Sequence, residues 1–477
     1  MSFISTTFAI FFLAFVACYH LAGRFAKNAA LVQRILFLAA SLVFYAFADL
    51  RFLPFLAYAI ALSYFAGLAA SSDASEKNRK VLFALFLAAD LLPLLFCKYN
   101  PAHLIFPLGI SFFTFQSASY ISDCFTKKIQ AEKDFLKVAL FVSFFPTISS
   151  GPIQRAGTLI PQFEKAHRFD YDCAADGLKL FAWGMFKKLC VADRIAVYVN
   201  YVYVGAESQY GAALLLATVL YSFQIYCDFS GYSDMAIGVA KYCGYDVGKN
   251  FDHPYLAKTV GEFWRRWHIS LSSWLRDYVY IPLGGSRVAL PRIYFNLIAT
   301  FLVSGIWHGA GWTFVIWGLL HGAFQCVGRA TKSFWERAKL PAFARTFITF
   351  CLVTFAWIFF RAQSLGQAAT VIRKICELPK DAAAFFAMRA EVGTVDAIRT
   401  LFSFVDAACD GFKGMFCILC MLLIFVAASL LTKDKDGLQI VRVKPLLVRW
   451  ILYAALCSLV LPALAGNSNT EFLYFAF

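Results

Sequence analysis

The strongest constraint in this sequence is a series of apolar runs, each near the length of a bilayer crossing, that starts at the first residues and recurs to the last. The first five are Phe3 to Ala22, Ile35 to Ala48, Phe52 to Ala70, Val81 to Cys97 and Leu104 to Ile121. A helix needs roughly 20 apolar residues to cross the hydrocarbon core, where only helices and closed barrels satisfy their own backbone. The pattern therefore predicts an all-α polytopic membrane protein with about ten to twelve transmembrane helices. Composition agrees: 60% of residues are hydrophobic and 15% charged, against roughly 25% charged in a soluble domain. The surplus apolar surface requires membrane lipid as its partner. The first run lacks a basic flank and an A-x-A-like cleavage site, so it reads as a retained helix and not a signal peptide.

A net charge of +15 could suit nucleic acid, but the basic residues sit between the apolar runs. Arg24, Lys27 and Arg34 follow the first run, Lys77, Arg79 and Lys80 the third, and Lys127, Lys128 and Lys133 the fifth, while the intervening loops hold only Arg51 and Lys98. The positive-inside rule then places the N-terminus outside. Lys433, Lys435, Arg442 and Lys444 mark residues 433–447 as a cytoplasmic loop, and a last span near Trp450 to Ala465 leaves the C-terminus outside too. The basic bias is topological, and no nucleic-acid partner is expected.

Fourteen cysteines are scattered through apolar segments, where cysteine acts as a small hydrophobe. Cys417 and Cys420 form a C-x-x-C inside the run Met415 to Leu431, without the second pair or histidine that a zinc or redox site needs. No metal site is predicted. Residues 1–477 read as one membrane domain, with plain spans to about 135 and a stretch dense in Gly, Trp, Tyr, Arg and His at 136–330. Residues 378–414 read as an interfacial loop or helices.

Chemistry in such a chain is sought at polar groups that lipid would reject. His308 lies deep in an apolar segment flanked by Gly305, Gly309 and Gly311. Either it is a packing histidine bonded to a carbonyl, or it works in a cavity that the glycines open. Residues 262–278 fit one amphipathic helix, with Trp264, Trp267, His268, Leu271, Trp274, Leu275 and Tyr278 on one face and Arg265, Arg266 and Arg276 on the other. Glu262 should pair with Arg266 one turn on. A surface helix with tryptophan anchors explains the pattern but not His268 on its apolar face. His321, thirteen residues past His308 and about 220° around a straight helix, reads as structural. Asp228, Ser230, Tyr232, Ser233 and Asp234 adjoin long apolar runs and should form a paired polar network, with Arg265, Arg266 and Arg276 as mates.

Several of these segments resemble the alginate O-acetylase branch of the membrane-bound O-acyltransferases: Pro107-Leu-Gly-Ile-Ser-Phe-Phe-Thr-Phe-Gln116, Gly151-Pro-Ile, Tyr226 to Gly238, Glu262 to Tyr278, Trp307-His-Gly309 and the ending Glu471 to Phe477. The resemblance implies a ring of tilted helices, with interfacial and re-entrant pieces, around a central tunnel in the bacterial plasma membrane. It makes His308 the catalytic histidine and His268 its second polar group, with Trp307 and the polar network lining the tunnel. It also implies acetyl-CoA as a donor substrate, no tightly bound cofactor, and an exported polysaccharide such as alginate, or peptidoglycan, as acceptor. An extracytoplasmic SGNH-type acetyltransferase would be the partner. The exposed aromatic tail, Phe472, Tyr474, Phe475 and Phe477, either docks it, since aromatics are favoured interface anchors, or caps the bundle at the lipid interface. The alternatives are D-alanyl transfer to teichoic acid, which shares much of the motif set, and a transporter or flippase. For the latter the chain shows no evident pair of repeated halves.

Overall fold

The computed structural model describes residues 1–73, 75–100, 106–394, 411–433, 437–465 and Phe472, and every regular element among them is helical. Nine of these helices are long and apolar enough to cross a bilayer. They are α1 (Thr6–Phe25), α2 (Ala29–Ala46), α3 (Leu53–Ala70), α4 (Glu76–Tyr99), α10 (Gly211–Tyr242), α13 (Leu290–His308), α16 (Ala342–Arg361), α19 (Gly411–Thr432) and α21 (Leu446–Ala465). Between them lie α5 (Ile110–Phe125), α6 (Phe135–Ser143), α7 (Ala156–Leu159), α8 (Tyr171–Met185), α9 (Asp193–Val204), α11 (Val260–Arg266) and α12 (Ile269–Leu275). α14 (Trp312–Ala330), α15 (Lys332–Arg337), α17 (Leu365–Cys376), α18 (Leu378–Val392) and α20 (Gly437–Arg442) complete the set. Residues 395–410 of the segment expected to be interfacial lie outside the described residues.

The fifth apolar run does not become a lipid-facing span. α5 has only 16 residues, all of them buried. Its polar groups explain why it sits inside protein: Ser117 meets Ser63 at 2.6 Å, and Gln116 Nε2 donates to the Phe141 carbonyl. Lipid could satisfy neither.

α10, 32 residues and about 48 Å long, is the central strut. It packs on α8 where Gly177 faces the Gly238 carbonyl and Gly184 faces that of Gly231, contacts with no room for a Cβ. Small residues at such crossings let backbones approach where lipid gives no hydrophobic drive. α13 and α14 form a hairpin closed the same way, Gly305 against the Phe314 carbonyl and Gly318 against that of Phe301. The turn at Gly309 to Gly311 ends α13 on His308.

Residues 262–278 are not one helix. Thr259 caps α11 by accepting from the Glu262 N–H, but the helix stops at Arg266, with Trp267 extended and His268 left-handed at φ 42°, ψ 56°. The strand of chain at 250–252 fills the gap: Asp252 N–H donates to the Arg266 carbonyl at 2.9 Å and Ile269 N–H to that of Asn250 at 2.8 Å. A left-handed non-glycine residue costs about 1–2 kcal/mol, and these bonds hold it there. The expected Glu262–Arg266 ion pair forms at 2.7 Å within α11.

Candidate functional site

His308 and His268 come from different elements and are both buried, at 3% and 0% exposure. Trp307 neighbours both, its ring centroid 4.8 Å from the His308 ring and 6.3 Å from that of His268. His308 is further walled edge-on by Trp317 at 5.0 Å and Phe360 at 5.2 Å. The end of α4 caps the end of α13: Lys98 Nζ donates to the Trp307 carbonyl and Tyr99 Oη to that of Ile306 at 2.6 Å. These satisfy carbonyls that a helix leaves open at its C-terminus, and put a cation where the helix dipole is negative. Trp307 Nε1 and Trp317 Nε1 are buried with no hydrogen-bond partner among the described residues.

His268 is held by Asn250. His268 Nδ1 lies 3.1 Å from Asn250 Oδ1, which also accepts from Ser270 Oγ at 2.8 Å and the Ser270 N–H at 3.3 Å, while Asn250 Nδ2 donates to Ser233 Oγ at 3.0 Å. The Ser270 N–H can only donate, which fixes the amide orientation. Nδ1 of His268 therefore carries the proton and Nε2 the lone pair. Outside the spanning helices and packed against Phe229 at 4.6 Å, the His268 imidazole is held well below its usual pKa by burial, and is neutral.

The polar network on α10 forms with other cations than expected. Lys188 binds Asp228 at 2.7 Å and Asp193 at 2.8 Å; Lys187 binds Asp234 at 2.7 Å and donates to Ser230 Oγ at 3.0 Å. Arg265 is exposed, Arg266 pairs with Glu262, and Arg276 pairs with its neighbour Asp277 at 2.8 Å. A π-helical stretch, Phe186–Ala192, buries two consecutive lysines in their place. The signal was available in Lys187-Lys188 set between apolar residues and followed by Asp193. Tyr232 Oη bonds Ser149 Oγ, and its ring stacks on Phe3 at 5.0 Å.

His321 is not remote from His308, because the turn at Gly309 breaks the straight helix on which the 220° estimate rests. Trp317 meets both rings, His308 at 5.0 Å and His321 at 4.9 Å. His321 Nδ1 accepts from Trp264 Nε1 at 3.2 Å, a packing bond. Phe472 is not an exposed docking residue: it is 2% exposed, edge-on to Tyr232 at 4.7 Å, with Lys188 Nζ 4.3 Å from its ring centre. Tyr474, Phe475 and Phe477 lie outside the described residues, as do Glu471 and Lys435.

Residues 50–366, which include both histidines and the α10 network, match MBOAT, the membrane-bound O-acyltransferase family. The chain is 37% identical to the peptidoglycan O-acetyltransferase of Helicobacter pylori, over 77% of this chain and 79% of that protein. It is 38% identical to a probable alginate O-acetylase of Pseudomonas aeruginosa, over 77% and 73% of the two chains. A teichoic acid D-alanyltransferase of Bacillus subtilis is 29% identical, over 60% of this chain and 78% of that protein.

Proposed function

The chain belongs to the membrane-bound O-acyltransferase family, and from that premise we propose that it moves an acetyl group from a cytosolic thioester to a hydroxyl outside the bilayer, for O-acetylation of an exported polysaccharide or peptidoglycan. The observation that carries this reading is the pair of buried imidazoles that both neighbour Trp307, inside a bundle of membrane helices. The identities of about 37% to O-acetylating relatives, against 29% to a D-alanyl-transferring one, favour acetyl.

His308 takes the proton of the acceptor hydroxyl as its oxygen attacks the thioester carbonyl; the carbon–sulfur bond then breaks, and the departing thiolate recovers that proton from the imidazolium. Base catalysis of this kind contributes roughly 10²- to 10⁴-fold. The oxyanion of the tetrahedral intermediate needs donors, and Trp307 Nε1 and Trp317 Nε1, on rings touching His308, are buried donors without a protein partner among the described residues. The donor enters from the face bearing Lys127, Lys128 and Lys133, taken as cytosolic from the charge pattern. A cysteine placed at Ser75, on the same face by that rule, should react with impermeant reagents only after the membrane is opened.

The reading is tested in liposomes with acetyl-CoA inside and polymer outside, with and without a periplasmic SGNH-type acetyltransferase as immediate acceptor. His308→Ala should abolish transfer at normal protein level. Wild-type transfer by that variant would remove the base assignment. Transfer of D-alanine in place of acetyl would move the chain to the alternative substrate.

A further inference from the structure

The end of α13 that carries His308 is not closed by its own turn. Gly309, the residue after it, is extended at φ −169°, ψ 160°, and its N–H returns to the Gly305 carbonyl at 3.2 Å. A helix leaves its last four carbonyls open, and a left-handed residue is a common way to close them. Here the carbonyls of Ile306 and Trp307 are taken from another helix: Tyr99 Oη donates to the first at 2.6 Å and Lys98 Nζ to the second. The Trp307 carbonyl belongs to the planar peptide whose N–H is that of His308. Holding this oxygen holds the plane from which the His308 side chain leaves the helix.

α4 is built to bring Lys98 there. Pro93 sits inside it and has no N–H for the carbonyl four residues back. That carbonyl, of Ala89, accepts instead from Tyr58 Oη of α3 at 3.0 Å, so a bond between helices replaces one rung of the ladder just before the segment that reaches α13. α4 and α13 then end together, which brings the negative ends of two helix dipoles beside His308. Lys98 puts a cation at this point, its ammonium also 5.9 Å from the centre of the Trp307 ring. Lys187 and Lys188 face carboxylates, whereas Lys98 has none among the described residues. Compensation of the dipoles alone would be served by an ammonium anywhere near the two ends. The Lys98 ammonium lies instead on the one peptide that joins Trp307 to His308.

We propose that Lys98 is a positioning residue for His308: with Tyr99 it clamps the end of α13, so that the imidazole keeps its place beside Trp307 while it takes and returns a proton. This rests on His308 as the base of the acyl-transfer reading above, whichever acyl group is carried.

The test uses the full chain in liposomes, with acetyl-CoA inside, polymer and the SGNH-type acceptor outside, and release of the free thiol as the readout. Lys98→Ala should lower kcat by about 10- to 100-fold through misplacement of the ring, with the KM for acetyl-CoA within about twofold of the wild type. Lys98→Arg, which keeps donor and charge, should recover most of the loss, and Lys98→Gln, which keeps a donor alone, less. Tyr99→Phe removes a single hydroxyl, leaves the fold intact and should lower kcat by a smaller factor. The losses of Lys98→Ala and His308→Ala should not add in the double variant, because no imidazole is left to position. A wild-type kcat in Lys98→Ala, a change confined to KM, arginine and glutamine variants as slow as alanine, or losses that multiply in full would each overturn the assignment and leave Lys98 as a packing residue. The two readings fail separately. Wild-type turnover by His308→Ala sinks the base assignment whatever Lys98 does, while an inactive His308→Ala beside a fully active Lys98→Ala sinks only the clamp.

Discussion

Lys188 Nζ lies 2.7 Å from Asp228 Oδ1, with the two side chains 1% and 2% exposed. The lysine is on the π-helical stretch after α8 and the aspartate in the middle of α10, so the pair ties together the two helices that meet through glycines. Removing one member of a buried pair strands the other charge, at a cost of about 3–5 kcal/mol. Lys188→Met removes the buried cation that both Asp228 and Asp193 share, so it is expected to lower the thermal unfolding temperature in detergent more than Asp228→Asn, which keeps the Lys188–Asp193 pair. A Lys188→Met protein as stable as the wild type would remove this pair from the account of the fold.

Asn250 orients His268 as a third group orients the base in a catalytic triad, by holding one ring nitrogen protonated so that the other presents its lone pair. Asn250→Ala should lower kcat by up to about 100-fold through misplacement of the ring, with KM little changed. Asn250→Asp keeps an acceptor for both Nδ1–H and the Ser270 N–H and should retain more activity than the alanine variant. If alanine and aspartate variants both turned over at the wild-type rate, His268 would have no part that depends on its orientation.

The membrane class and the position of His308 were legible because both follow from local sequence: apolar length, and glycines around one histidine. The break at Trp267–His268 was not, because the spacing of Trp264, Leu271, Trp274 and Tyr278 keeps a helical period straight through it. What breaks the helix is Asn250, eighteen residues earlier, whose bonds are tertiary. Asp228 and Asp234 pair instead with Lys188 and Lys187 of the π-helical stretch after α8, which reach α10 by packing between helices and not by spacing along one. Lys98 and Trp307 illustrate the same limit, being distant in sequence and joined only where α4 meets α13.

Phe472 lies in the core, beside Tyr232 and with Lys188 over its ring. Its removal opens an aromatic-sized cavity against a buried ion pair, and Phe→Ala changes in cores cost about 3–5 kcal/mol. Phe472→Ala is therefore expected to lower stability in detergent and to reduce transfer even when no partner protein is present. A variant with wild-type stability that loses activity only with the partner would restore the docking reading of the tail.

Asp176 joins α20 to α8, and its titration gives a pH dependence with a defined sign. Burial alone would raise its pKa, but hydrogen bonds from Arg442 and Lys179 and the charge of Lys241 outweigh this and hold the carboxyl below its ordinary value. Arg442 Nη2 is 2.6 Å away, Lys179 Nζ 3.3 Å and Lys241 Nζ 3.5 Å. Because the folded pKa lies below the unfolded one, the stabilisation is complete above the unfolded Asp value of about 4 and is lost as pH falls through the lower folded value. The hold of α20 on α8 should thus be constant from neutral pH to about 5 and weaken only below about 4. A spin label at position 439, in a background without native cysteines, reads this as a gain in mobility. Arg442→Ala should show that gain already at pH 7, since the strongest of the three bonds is then absent at every pH. A label equally immobile at pH 7 and pH 3, in both proteins, would mean that apolar packing and not Asp176 holds α20 in place.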